Sequence, residues 1–179
     1  MPPAPRGSAS LGAVAASLAV VAGTAVLGVA GGFVWGALAP RAGLVMTGRG
    51  AAAVANPETS AFIAADAVFC LVCLAGGALS GLAGYLFAVR RWGPLPMAGV
   101  LAGAVAAAFL ARWVGQQEGL AAFHHLLATL PAGARLHGPL TLGAASALTF
   151  WPLAAGLVAG GLAAMTGREP AGLPLPGGF

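Results

Sequence analysis

Charge is confined to the edges of four long apolar stretches, and that spacing constrains the fold more than any single motif. Residues 7–40, 67–89, 92–111 and 136–167 contain no Asp, Glu, Lys or Arg. Each can supply the ~20 apolar residues that cross a bilayer. Only 7% of the chain is charged and 59% is hydrophobic, whereas roughly a quarter of the residues in a soluble domain carry charge. A water-soluble enzyme and an acidic disordered chain are thereby excluded. So is an outer-membrane barrel, whose strands are ~10 residues long and alternate in polarity.

The expected fold is an all-α integral membrane protein with four transmembrane helices in an antiparallel bundle. The spans fall at about 11–39, 62–89, 95–111 and 142–165, so residues 11–165 form one transmembrane domain. Residues 1–10 read as a cytoplasmic tail, and 166–179 as a Pro/Gly-rich disordered tail. Pro40 stops the first span, because proline removes a backbone donor and clashes with the preceding turn. Arg6 ahead of an apolar run also outlines a cleaved signal peptide. The run is about twice the 7–15 residues of a signal core, so an uncleaved anchor is the preferred reading.

The second span starts after Asn56-Pro57-Glu58-Thr59-Ser60, with Asn as cap, Pro in the first turn and Glu where the helix dipole favours an anion. It ends at Arg90-Arg91-Trp92-Gly93-Pro94, and the short connection to the third span predicts an antiparallel hairpin. In the fourth span, Pro152 lies near the middle and is expected to kink the helix. Arg residues are evenly divided between the two sides, so orientation rests on the tight Arg90-Arg91 turn. By the positive-inside rule it faces inward, which puts both termini in the cytoplasm of a multi-pass plasma-membrane protein.

Small residues recur every fourth position, the pattern by which helices approach closely in lipid. Gly28, Gly32 and Gly36 form one stripe, Gly77 and Gly81 a second, Gly99 and Gly103 a third, and Gly156 and Gly160 a fourth. Such stripes serve contacts within the chain or with another, and spacing alone leaves both open. The partners expected are therefore the bilayer and either a second copy or another membrane protein. Nucleic acid is not among them, because the eight basic residues are scattered singly or as one pair and form no basic stripe.

Candidates for chemistry are few. Asp66 is the one acid inside an apolar stretch, and intramembrane acids are functional suspects because burying them is costly. It lies about 36 Å of helix from Arg90, near the outer boundary of a ~30 Å core. Arg112, about 27 Å along the third span, reaches a similar depth, so an Asp66–Arg112 ion pair across the hairpin is expected. Cys70 and Cys73 lie mid-span with no second ligand pair and read as small core residues. His124 and His125 are adjacent and diverge by about 100° on a helix, and His137 shares their loop. Leu120, Phe123, Leu127 and Leu130 form an apolar stripe there, predicting a short amphipathic helix. Trp35, Trp92 and Trp113 sit at span ends, as an aromatic belt requires, whereas Trp151 lies mid-span. No catalytic residue, metal site or cofactor site is expected.

Several stretches together resemble an uncharacterised actinobacterial family of four-span membrane proteins that carries only a domain-of-unknown-function label. They are Gly36-Ala37-Leu38-Ala39-Pro40, Ala64-Ala65-Asp66-Ala67-Val68-Phe69, Arg90-Arg91-Trp92-Gly93-Pro94-Leu95, Gly138-Pro139-Leu140 and Trp151-Pro152-Leu153. The resemblance implies a multi-pass plasma-membrane location and no activity. The function expected is that of a non-enzymatic accessory or scaffold subunit acting through helix–helix contacts. The alternative is a small transporter or channel component using Asp66 and Arg112.

Overall fold

The structure is a computed structural model that describes residues 6–48, 50–56 and 60–167, with side chains from residue 11 onward. Helix α1 (Arg6–Leu38) leads into strands β1 (Gly43–Gly48) and β2 (Ala51–Val54). Helix α2 (Ala61–Gly84) continues through a π-helical turn (Tyr85–Val89) into the short α3 (Arg90–Trp92). Then come α4 (Leu95–Gln117), α5 (Leu120–Thr129), strand β3 (Arg135–His137), a 3₁₀ turn (Ala145–Thr149) and α6 (Phe150–Thr166). Among the described residues, four helices are long and apolar enough to cross a membrane: Leu11–Leu38, Ala61–Trp92, Leu95–Thr129 and Ala145–Thr166. Their outward faces are apolar, with Leu11, Ile63, Phe87, Leu157 and Met165 all strongly exposed.

The tight pairings are between parallel helices, not between sequence neighbours. Along α1, Gly28 and Gly32 meet Ala107 and Ala111 of α4, while Gly99 and Gly103 of α4 meet Ser17 and Val21 of α1. A side-chain carbon on Gly28 would stand 2.6 Å from the Ala107 Cα, so the two backbones touch. Likewise α2 packs along α6, where Gly81 lies against the Ala155 backbone. The expected hairpin of the second and third spans runs antiparallel, but its two helices touch far less than these parallel pairs do.

The fold is not purely helical. Strands β2, β1 and β3 form a three-stranded antiparallel sheet in that order. It pairs Leu44 with Val54 and with Leu136. The sheet and α5 cover the end of the bundle where α1 finishes and α2 begins, called the distal end below. At the opposite end Trp92 packs on Gly12, and the Tyr85 hydroxyl bonds the Thr166 hydroxyl. The amphipathic reading of α5 agrees with its exposure pattern: Leu120, Phe123, Leu127 and Leu130 are half-buried and the residues between them are exposed.

Several boundaries move. Helix α4 runs to Gln117, past the expected stop near residue 111, because Arg112 is a good helix former. The backbone turns only at Gly119, whose φ of 77° suits glycine. Pro152 lies nearer the start of its helix than its place in the apolar stretch suggests. The fourth span opens as a 3₁₀ turn and becomes α-helical at Phe150, so Pro152 falls in the first turn of α6. At the start of α2 the cap position is held by Ser60, while Pro57, Glu58 and Thr59 lie outside the described residues. Residues 1–5 and 168–179, which take in most of the two expected tails, also lie outside them, and α1 is already helical from Arg6.

Candidate functional site

Asp66 sits one turn into α2 and reaches across to the entry of the fourth span. Its two carboxylate oxygens accept the amide N–H groups of Gly143 and Ala144, at 3.0 and 2.9 Å. Both amides immediately precede the 3₁₀ turn, where backbone donors have no helical acceptor. The carboxylate therefore acts as a capping group supplied from another helix. Gly143 is small enough for this approach, since a side-chain carbon there would stand 3.1 Å from Asp66 Oδ2. The expected partner, Arg112, is half-buried on α4, and no hydrogen bond or ion pair joins it to Asp66 among the described residues. Depth matched the two charges, but α2 and α4 are not the helices that pack closely.

Two tryptophans fill the interior. Trp151, unassigned by its mid-span position, is fully buried and donates its indole N–H to Ser80 Oγ at 3.2 Å. Ser80 in turn donates to the backbone carbonyls of Gly76 and Gly77 on its own helix. The Trp151 ring lies over Gly76 and Gly31, so those glycines are the floor on which an indole rests. Trp35 is also fully buried, not an interfacial belt residue. Its N–H reaches the Ala65 carbonyl at 2.9 Å and its ring meets Phe69 edge-on at 4.9 Å. Trp113, 61% exposed, does face outward at its span end.

The stripes divide by function. Gly28, Gly32, Gly36, Gly77, Gly81, Gly99 and Gly103 all meet another part of the same chain, Gly36 against the Glu118 side chain. Gly156 touches only Leu101, and Gly160 has open space around it. Cys73 is buried in the core and Cys70 is half-buried beside it. Both are free thiols. His124 and His125 are exposed on α5, and among the described residues no three His, Cys, Asp or Glu side chains gather as a metal would require.

Two concavities lie in line between α1 and α2. Because α1 is bound mainly to α4 and α2 to α6, the seam between α1 and α2 is packed more loosely, although the two helices touch where Gly31 meets Val72. A cavity of about 300 Å³ lies between Ala16, Gly23, Ala83 and Phe87. A second, of about 450 Å³, lies between Ala30, Val34, Leu71 and Ala75, with Trp151 at its base. Leu27 borders both, and the two cavities follow one another along the α1–α2 seam, together called the groove below. The buried hydroxyls at its base are already bonded, Thr24 to the Val20 carbonyl and Ser80 as described. Nothing in the spacing of the sequence pointed to this groove, since it arises from which helices pair.

These features define a class: a four-helix bundle of membrane-spanning length and apolarity, capped by a small sheet and carrying a lateral apolar groove. No family model, curated protein or solved structure matches the chain.

Proposed function

We propose that the chain is a multi-pass plasma-membrane protein of the non-enzymatic accessory or scaffold kind, which receives a transmembrane helix of a partner protein in the α1–α2 groove. One observation carries the reading: the groove is as long as a bilayer is thick. From Ala16 to Leu38, which border its two ends, α1 advances about 33 Å, against a ~30 Å hydrocarbon core. A single acyl chain reaches through one leaflet only, whereas a transmembrane helix fills the whole length. The walls carry Ala16, Ala19, Gly23, Ala30, Ala75 and Ala83, small enough for a partner backbone to approach closely.

This reading includes both termini in the cytoplasm and kinship with the four-span actinobacterial family. A transport role for Asp66 and Arg112 draws no support from the interior. Thr24, Ser80 and Thr149 spend their hydroxyls on nearby carbonyls, and Asp66 spends its oxygens on two amides.

The test is site-specific photo-crosslinking in the native membrane from Ala19 and Ala75, with Leu157 on the far side of α6 as control. One protein crosslinked from both groove positions but not from Leu157, and lost when Ala75→Trp fills the groove, is the expected result. Crosslinks to lipid alone, or equal yields from Leu157, would overturn the proposal.

A further inference from the structure

A second cavity, separate from the groove, opens at the distal end between α5 and β3. Its volume is about 430 Å³, within the range typical of small-molecule sites. Its two sides differ in chemistry. Helix α5 contributes an apolar wall of Phe123, Leu126 and Leu130. The facing side contributes Arg135 and His137 from β3, Arg41 from the segment after α1, and Glu118 from the end of α4.

The charged groups are not consumed by one another. Arg41 donates to the Gly36 carbonyl at 3.1 Å, which fixes its guanidinium at the end of α1. Among the described residues neither Arg135 nor Glu118 makes a side-chain hydrogen bond or ion pair. Two guanidinium groups against one carboxylate leave the polar side positive. A planar guanidinium with free donors is the side chain best suited to a carboxylate or phosphate, through paired N–H···O bonds. The apolar wall, meanwhile, is unfilled: α5 has no fully buried residue, although its apolar stripe leans inward.

We propose that this cavity binds an amphiphile with one anionic head, a carboxylate or phosphate, which Arg135 and Arg41 hold while its apolar chain lies along Phe123 and Leu126. The same head chemistry is offered by an anionic phospholipid of the surrounding leaflet and by a free amphiphile. Arg135 is the specificity-determining residue, because its donors are free, whereas Arg41 also secures a helix end.

The full chain in phosphatidylcholine nanodiscs is titrated calorimetrically with dodecanoate, dodecyl phosphate and, as the neutral control, dodecanol. Subtracting the Arg135→Gln signal removes partitioning into the bilayer. Native mass spectrometry of nanodiscs containing phosphatidylglycerol reads the lipid source. Binding of an anionic probe that Arg135→Gln weakens about tenfold or more, the loss expected for one charge-assisted contact, supports the site. Leu126→Gln, on the exposed apolar wall, should weaken the same probe while leaving the melting temperature unchanged. Retained phosphatidylglycerol identifies the leaflet lipid as the source, and dodecanoate or dodecyl phosphate binding without it identifies a free amphiphile. Dodecanol binding as tightly as dodecanoate, or indifference of every anionic ligand to Arg135→Gln, overturns the proposal.

Discussion

Gly28 of α1 lies against the backbone of Ala107 on α4, so close that a side-chain carbon on the glycine would stand 2.6 Å from the Ala107 Cα and carbonyl oxygen. One turn on, Gly32 meets the Ala111 carbonyl in the same way. Contacts of this kind bring two parallel helices together at backbone distance, and they settle which pairs form. With α1 committed to α4 and α2 to α6, the seam between α1 and α2 is left the more loosely packed.

The glycines should therefore differ sharply in their tolerance of larger side chains. Gly32→Val places methyl groups where Ala111 and Val114 already stand, and overpacking of this kind costs about 1–3 kcal/mol or more. Gly160→Val, with open space around the glycine, should be close to neutral. Melting of the two variants in mild detergent compares them directly, and equal losses would contradict the packing described for α1 and α4.

Removing the Ser80 hydroxyl leaves the buried Trp151 N–H without its acceptor. Measured interhelical hydrogen bonds in membranes average only ~0.6 kcal/mol and reach ~1.7. Ser80→Ala is thus expected to cost about 1 kcal/mol, and Trp151→Phe more, since the ring also fills the space over Gly76 and Gly31. In a double-mutant cycle on unfolding free energy the two losses should be less than additive. Strict additivity would mean that the indole and the hydroxyl do not interact.

What the sequence disclosed and what it withheld follow from the range of the signals. Span positions were legible because an apolar stretch of membrane length needs only local composition, and the stripe on α5 because 3.6-residue periodicity is local too. The sheet was not legible: Gly43–Gly48 is a short apolar run and Ala51–Val54 is mostly alanine, and neither shows the alternation of a half-buried strand. Pro152 was misplaced because hydropathy runs unbroken from Leu142 and cannot show where 3₁₀ becomes α. The Asp66–Arg112 pairing failed for a related reason. Depth along the bilayer can be counted from sequence, but which helices adjoin at that depth cannot. Trp35 likewise stood at the right depth for a belt residue, yet faces inward onto Ala65 and Phe69.

Asp66 and Arg112 should accordingly behave as independent sites. Asp66→Ala removes the acceptor for two amides, a loss comparable to that of a helix cap, about 0.5–2 kcal/mol. Asp66→Asn keeps one carbonyl acceptor and should fall between alanine and wild type. Arg112→Gln, combined with either, should add to it within about 0.3–0.5 kcal/mol, as separate sites do. A larger coupling, measured by reversible unfolding in detergent micelles, would restore the ion pair.

Topology gives the last expectation. Four helices of membrane-spanning length, once inserted, would put the turn at Gly93 on the same side as the start of α1 and the end of α6, with the sheet and α5 on the other. Applied to Arg90 and Arg91 at the turn, the positive-inside rule predicts that this side is the cytoplasmic one. Ala132, exposed beside the Gly133 turn, is a suitable position for a single reactive cysteine. The native thiols lie within α2, one buried and one half-buried. In intact cells a membrane-impermeant maleimide should label Ala132→Cys well above wild type, and a reporter fused after Gly93 should be active only in the cytoplasm. The reverse pattern would invert the orientation and put the cavity lined by Arg41 and Arg135 on the cytoplasmic side. The anionic amphiphile would then have to come from the inner leaflet, so this labelling result also decides which leaflet composition the binding measurements should reproduce.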